Sequence, residues 1–384
     1  MRIVKLRDIS ELKTGPFGTQ FRASEYVTEG IPVINVKNIG YGSLLVSGLD
    51  HVSENTLERL SEHKLQEGDI VFGRKGSVDR HCLIRKGQDG WMQGSDCIRV
   101  RFTDAIVYPE FVSYYLLTDA VKMKINNSAV GSTMASLNTD ILGDIDIILP
   151  DCEEQKRIAL ILGTIDKKIS NNNQINDYLC SQIQLLFSYL FNLSSIPKSW
   201  TKGVLTDIAN ITMGQSPSGE SFNTQGNGYP FYQGSTDFGT IFPAKRMYTD
   251  KPSRYAAVFD TLLSVRAPVG SLNIAYENCC IGRGLASIHG KYDNNIFVRY
   301  LLKNNKWYFD NINNNGTTFG SITKDYLFEM PVVIPDGKSI AMFEQKSSLI
   351  ERQIYENEQQ TRKLQNLRDW LLPMLMNGQA TIED

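Results

Sequence analysis

Residues 131–151, GSTMASLNTDILGDIDIILPD, stand 185 positions before residues 316–336, GTTFGSITKDYLFEMPVVIPD. Seven of the 21 positions are identical: Gly131, Thr133, Ser136, Asp140, Leu142, Pro150 and Asp151, each with its counterpart. Most of the others exchange similar residues, such as Leu137 for Ile322. Towards the amino terminus, Leu6-Arg7-Asp8-Ile9 precedes Gly15 as Leu205-Thr206-Asp207-Ile208 precedes Gly214, at an offset of 199. The fall from 199 to 185 puts 14 extra residues in the middle of the first copy. Such matches, repeated in order, make the chain a tandem duplication, and that period decides the fold ahead of any local reading.

Each copy has one plan. Its first ~150 residues hold short β-rich runs punctuated by Gly, Asn and Pro. They are IPVINV, DIVFG, CIRVRF and IDIIL in the first copy, and AAVFD, TLLSV, LNIAY and PVVIP in the second. A helical stretch at 109–124, and again at 294–309, interrupts them. A long helical pattern then follows. Ile158, Leu162, Ile165, Ile169, Asn172, Asn176, Leu179, Ile183, Leu186 and Leu190 step by alternating fours and threes. The second copy answers with Phe343, Ser347, Ile350, Ile354, Asn357, Thr361, Leu364, Arg368, Leu371 and Leu375. A sustained 4-3 seam is that of a coiled coil, and a polar residue within it sets register. About 40 helical residues make a rod of ~60 Å. The expected fold is α+β: two homologous mixed α/β domains, at 1–150 and 196–335, separated by two long antiparallel coiled-coil helices. Those helices occupy 151–195 and 336–384, in an approximate two-fold arrangement.

A length of 384 residues suits two such domains. Forty basic against forty-two acidic residues leave a net charge of −2, which excludes a polybasic protein but not a local basic face. No apolar run approaches the ~18 residues of a membrane span. The opening MRIVKLRDISEL lacks the apolar core of a signal peptide, so no membrane association and a cytoplasmic location are expected. The six cysteines form no CxxC pair and the four histidines are scattered, so no metal is expected, with His81-Cys82 and Cys97 at most a half-site.

Catalytic signatures are near-misses. Gly337-Lys338-Ser339 lacks the earlier glycine of a phosphate-binding loop, having Val332 there, and reads as a helix entry. Gly73-Arg74-Lys75-Gly76 is too short for a dinucleotide fingerprint. No Pro-Pro, as an adenine methyltransferase would need, occurs, nor GxSxG or HExxH. A stand-alone Mg²⁺-dependent nuclease is the alternative, with Asp146 before Glu154-Gln155-Lys156 and Asp336 before Glu344-Gln345-Lys346. Glu154 and Glu344 also stand where helices begin, where acids complement the dipole. The seam, the repeat and the weak chemistry leave a bivalent protein-binding adaptor as a third reading.

Binding chemistry is better represented. Between residues 70 and 101, Arg74, Lys75, Arg80, Arg85, Lys86, Arg99 and Arg101 outnumber three acids, with His81, Trp91 and Gln93 among them. In the second copy Lys245, Arg246, Lys251, Arg254, Arg266 and Arg283 accompany a polar, aromatic segment containing Tyr232, Gln233, Ser235 and Thr236. Arg and Lys neutralise phosphates, and Arg and Gln read base edges. These clusters are the candidate DNA-binding residues.

The residues resemble the specificity (S) subunits of type I restriction–modification systems. The likeness lies in the openings LRDISELKTG and LTDIANITMG, Gly30 to Pro32, Gly68 to Val71 and Ile281 to Leu285. It continues in ILPDCEEQKRI, VIPDGKSIAMFEQ and the closing LRDWLLPMLMNG. The second copy departs by inserting GKSIA, and the first has Asp96-Cys97-Ile98 where the second has arginine-glycine-leucine. The resemblance implies two target-recognition domains, each reading one half of a split, asymmetric target on double-stranded DNA. The helices would set the spacing and dock two methyltransferase (M) subunits. It also implies that this chain is non-catalytic and holds no cofactor. S-adenosylmethionine would belong to the M partner, and ATP with Mg²⁺ to restriction (R) subunits.

Overall fold

The computed structural model describes residues 2–129, 135–192, 196–314 and 320–380. The repeat matches at Gly131, Thr133, Gly316 and Thr318 lie outside these. Two compact units result: residues up to Asn171 together with those from Thr361 onward, and Asn172–Gln360. The division therefore passes through both long helices, Cys152–Leu190 and Gly337–Met376.

Each unit builds its sheets in the same order. In the first, Ser10–Thr14, Cys97–Phe102, Ile70–Gly73 and His81–Leu83 lie side by side. In the second, Ala209–Met213, Leu285–Gly290, Thr261–Ser264 and Leu272–Ile274 do so. Arg2–Lys5 pairs with Asp146–Leu149, and Thr201–Val204 with Pro331–Ile334, so the last strand of each domain returns to its first. A second sheet in each contains one parallel pair: Ile34 beside Gln93, and Tyr232 beside Ile281. Central strands such as Ile70–Gly73 and Thr261–Ser264 are buried on both faces, which explains their unbroken apolar runs.

Three expectations need correction. The extra residues of the first copy are spread over several connections, the largest share between Ile34 and Ile70, where the helix Glu54–Arg59 has no counterpart. Most of AAVFD is not a strand: only Ala256 pairs, the chain then turns with Phe259 at φ 69°, and the Asp260 carboxylate accepts the Ala257 amide. The stretches at 109–124 and 294–309 are each two helices, Pro109–Leu116 with Asp119–Ser128 and Asn295–Asn304 with Lys306–Asn314.

Both long helices begin at the same repeat position. Asp151 Oδ1 accepts the Glu154 amide and Asp336 Oδ1 the Ser339 amide, each at 2.9 Å. GKSIA forms the first turn of the second helix. Within the first unit Ile158, Ala159 and Leu162 pack with Leu375 and Met376, and Arg368 Nη1 donates to Asp166 at 3.0 Å. Within the second, Ile183, Phe187 and Phe191 pack with Phe343 and Ile354. In each unit early residues of one helix meet late residues of the other, so the segments run antiparallel. Ile165, Ile169 and Thr361 are buried, with Leu364 and Leu371 partly so. Leu179, Leu186 and Ile350 flank the second core. Beyond Ile183 the buried line leaves the seam for Phe187 and Phe191, as a straight 3.6-residue helix drifts from a 3.5-residue repeat.

The polar layer sits inside the second unit. Asn172 and Asn176 are 1% and 2% exposed. Asn357 Nδ2 donates to Asn176 Oδ1 at 2.9 Å, and Asn172 Nδ2 donates to Gln360 Oε1 at 2.9 Å. Replacing Asn176 with leucine strands the Asn357 amide, at a cost of about 1–3 kcal/mol. The Asn176→Leu/Asn357→Leu pair should recover part of that loss. Denaturant unfolding of the four members of this cycle measures the coupling, and strict additivity would refute it.

Near the start of each long helix one side chain accepts an amide of a short helix, and the two side chains differ in charge. Gln155, fully buried, accepts the Tyr108 amide at 2.8 Å at the start of Pro109–Leu116. Glu344 accepts the Phe297 amide at 2.7 Å at the start of Asn295–Asn304. Burial pushes the Glu344 carboxyl from 4.5 up to about 7, although the Phe297 amide pulls the other way. The folded state then binds more protons than the unfolded chain above pH ~4.5, so stability falls as pH rises to about 7 and is level beyond. Glu344→Gln, copying Gln155, should remove that slope and gain about 1–3 kcal/mol at pH 8 but little near pH 4.5. Thermal melts across this range test it, and equal shifts at both ends would overturn it.

Candidate nucleic-acid interface

In the second unit five loops meet. Gly282 N donates to Tyr232 O at 2.8 Å, and Gly284 N to Gln233 O at 3.1 Å. Gln215 N donates to Ile281 O and Ile281 N to Arg254 O, both at 3.0 Å. Val265 N donates to Gly284 O at 2.9 Å, and Ser253 Oγ to the Gln215 carbonyl. Loops packed backbone to backbone leave no room for side chains between them. A Cβ on Gly284 would overlap the Gln233 carbonyl oxygen, and one on Gly214 the Gly282 oxygen. Arg283, Arg254, Arg266, Gln233 and Gln215 are thereby brought together, all exposed. Among the described residues none of the three arginines has an ion pair.

The first unit repeats three of the backbone bonds of this scaffold, and has Pro16, which carries no N–H, where the second has Gln215. Gly94 N donates to Ile34 O at 2.9 Å, as Gly282 does to Tyr232. Gly15 N donates to Cys97 O at 2.9 Å, as Gly214 does to Leu285 O. Arg74 N donates to Asp96 O at 2.8 Å, in the place of Val265 and Gly284. The matched places are therefore Asn35 with Gln233, Ser95 with Arg283, Asp96 with Gly284, and Lys75 with Arg266.

The basic cluster between residues 70 and 101 is pulled apart by its own hairpin. The turn between Ile70–Gly73 and His81–Leu83 carries Arg74, Lys75 and Arg80 to the loop end. Arg85, Lys86 and Arg101 lie at the other end, Arg85 2.9 Å from Glu110 and Arg101 2.6 Å from Asp69. Lys75 pairs with Asp96 at 3.0 Å. Gln93 is fully buried and donates to the Lys13 and Cys97 carbonyls. Arg99, 2% exposed, is held by Glu11 and the Glu62 carbonyl. Neither Gln93 nor Arg99 is open to a ligand, because both face inward from the sheet.

The second cluster is less divided. Gln233, Arg254, Arg266 and Arg283 converge, with half-buried Ser235 in the short turn after Gln233. Lys245 instead pairs with Glu277, and Arg246 and Lys251 are exposed on neighbouring segments. Sequence reasoning missed Asn35, Ser95 and Gln215. For the last two the signal was the preceding glycine, Gly94 and Gly214; Asn35 carries no such mark.

Metal and acid–base chemistry find little footing. His81 and Cys82, adjacent in a strand, face opposite sides. His81 is bonded to Ser113 Oγ at 3.0 Å, and burial pushes its pKa down to about 4. Burial also pushes the Cys82 and Cys97 thiols up. Among the described residues no group of three metal-ligating side chains is present. Asp146 is held by Lys5 and Lys124, Glu154 by Arg157, and Glu344 by the helix start described above.

The sequence matches the family described as type I restriction modification DNA specificity domain over residues 1–179 and again over 197–356. The chain belongs to that family. It is a specificity subunit, a recognition component rather than a catalyst. It is 27% identical to a Methanocaldococcus jannaschii protein described as the MjaX specificity subunit of a type I restriction enzyme, over 92% of this chain and 88% of that one. The HindI specificity subunit of Haemophilus influenzae is 20% identical, over 90% and 94% of the two chains. The crystal structure of the type I S subunit from M. genitalium shares the fold, at a TM-score of 0.60 and 15% identity over 97% and 95% of the chains. The two matched segments of the specificity chain are the two copies read from the repeat, each carrying one loop cluster.

Proposed function

We propose that this specificity subunit reads a split, asymmetric target on double-stranded DNA, one half with each unit, and brings two methyltransferase subunits to it. The observation that carries this reading is the pair of loop clusters: shared backbone bonds with different side chains, exposed Gln233 and Arg283 in one and half-buried Asn35 and Ser95 in the other. A symmetric target would call for identical sets. Adenine methylation with S-adenosylmethionine then belongs to the methyltransferase partner, and ATP- and Mg²⁺-dependent cleavage to restriction subunits, all in the cytoplasm. The outer face of the first long helix supports a protein partner, since Tyr178, Leu185 and Tyr189 are 71%, 70% and 82% exposed at helical spacing. No helix among the described residues is long and apolar enough to cross a membrane.

Purified with its methyltransferase, the chain should protect two short, unequal sequences on one duplex. Binding indifferent to sequence in either half would reject the proposal. A nuclease would cut DNA when this chain alone meets Mg²⁺, and an adaptor would show no salt-dependent DNA affinity.

A further inference from the structure

Two domains that read different sequences on one scaffold sort their own side chains. A group alike in both copies serves what all DNA has in common, the phosphates, and a group that differs at the same place serves the bases. Lys75 and Arg266 are alike. Each is cationic and exposed, and each makes an isolated β-bridge to the serine shared by the two repeats, Ser136 or Ser321. Ser95 and Arg283 differ, as do Asn35 and Gln233, although the bonds of Gly94 to Ile34 and of Arg74 to Asp96 match those of Gly282 to Tyr232 and of Val265 to Gly284. Arg283 projects between two glycines whose backbone is locked against Gln233, so its fork is presented from a fixed base.

We propose that Arg283, with Gln233 beside it, is the base-reading group of the second unit, taking a guanine through N7 and O6, and that Lys75 and Arg266 hold phosphates. This rests on the DNA-reading function proposed above. A guanidinium meets guanine with two parallel donors in one plane, a fixed fork that the flexible lysine ammonium lacks and a single serine hydroxyl cannot replace. At the matched place the first unit offers the Ser95 hydroxyl, the Asn35 amide beside it being given to Asp50 at 2.8 Å, so its half of the target follows a different rule. Lys75 already pairs with Asp96 at 3.0 Å, whereas Arg266 has no ion pair among the described residues. A phosphate must displace a carboxylate at one site and nothing at the other.

The test uses the full chain copurified with its methyltransferase and a duplex library with a randomised segment, bound molecules being sequenced at several salt concentrations. Arg283→Ala and Arg283→Lys should each erase one G·C preference, tenfold or more, in one half-site and leave the other half intact. Arg283→Lys should do so with the salt slope unchanged. Arg266→Ala should leave every preference in place, weaken all sequences alike and lower the salt slope by about one. Lys75→Ala should do the same more weakly. Retention of all preferences by Arg283→Lys, or a changed half-site in Arg266→Ala, would overturn the assignment. Wild-type protein that enriches no sequence would instead sink the functional reading itself.

Discussion

Arg299→Leu should destabilise the second unit by about 3–5 kcal/mol, the largest stability loss expected from a single substitution here. Arg299 is 6% exposed and gives its guanidinium to Glu351, to Phe259 O at 2.7 Å and to Thr261 Oγ1 at 3.3 Å. Burial pulls its pKa down to about 10, still far above neutrality, so the guanidinium is charged at pH 7. Removing the cation leaves Glu351, whose side chain is 12% exposed, as an uncompensated charge. The Arg299→Leu/Glu351→Leu pair should recover most of the loss, because a well-packed apolar pair replaces a buried ion pair at little cost. In the first copy FVSYYL aligns with FVRYLL, so Ser113, bonded to His81, stands for Arg299. Chemical denaturation of wild type and the two variants decides the point. A double variant no more stable than Arg299→Leu would show that the loss comes from packing instead.

The second large effect falls on recognition. Gly284→Ala places a methyl group on the Gln233 carbonyl oxygen and 3.1 Å from Gly234 Cα. Backbone must move, and Arg283 and Gln233 move with it. Discrimination in one half-site should fall by tenfold or more while the other half is read as before. Gly234 supplies the control. It lies in the same cluster with extended backbone at φ −169°, and a Cβ there meets nothing within 4 Å. Gly234→Ala should therefore bind as wild type. Parallel losses in the two variants would show that the loops tolerate no change of any kind, and the close-packing argument would fail.

How much of this could be read in advance follows from what each signal measures. Repetition and helical period depend on residues near in sequence, so the duplicated domains, the long helices and the Asn172 and Asn176 layer were legible. The interface was legible only where its residues were neighbours. Charge density pointed to residues 70–101, but the hairpin carries Arg74, Lys75 and Arg80 to one end of the sheet and leaves Arg85, Lys86 and Arg101 at the other, and strand alternation turned Gln93 and Arg99 inward. Conversely Gln215, Gln233, Arg254, Arg266 and Arg283 are scattered in the chain and meet only through pairing of backbone. The glycines that permit the meeting were visible as letters, but their partners were not.

The first unit is closed by Leu375 and Met376, which lie in its core beside Ile158 and Leu162. During synthesis those partners are made about 200 residues apart, a wait of roughly 10–40 s at ribosomal speed. For that interval the early domain must wait on the ribosome with an unfinished core, while the second unit, continuous from Asn172 to Gln360, gains its full complement before Leu375 is made. The domain begun first is thus the last to be completed. A nascent chain stalled before residue 361 should accordingly present a protease-resistant second unit and a vulnerable first.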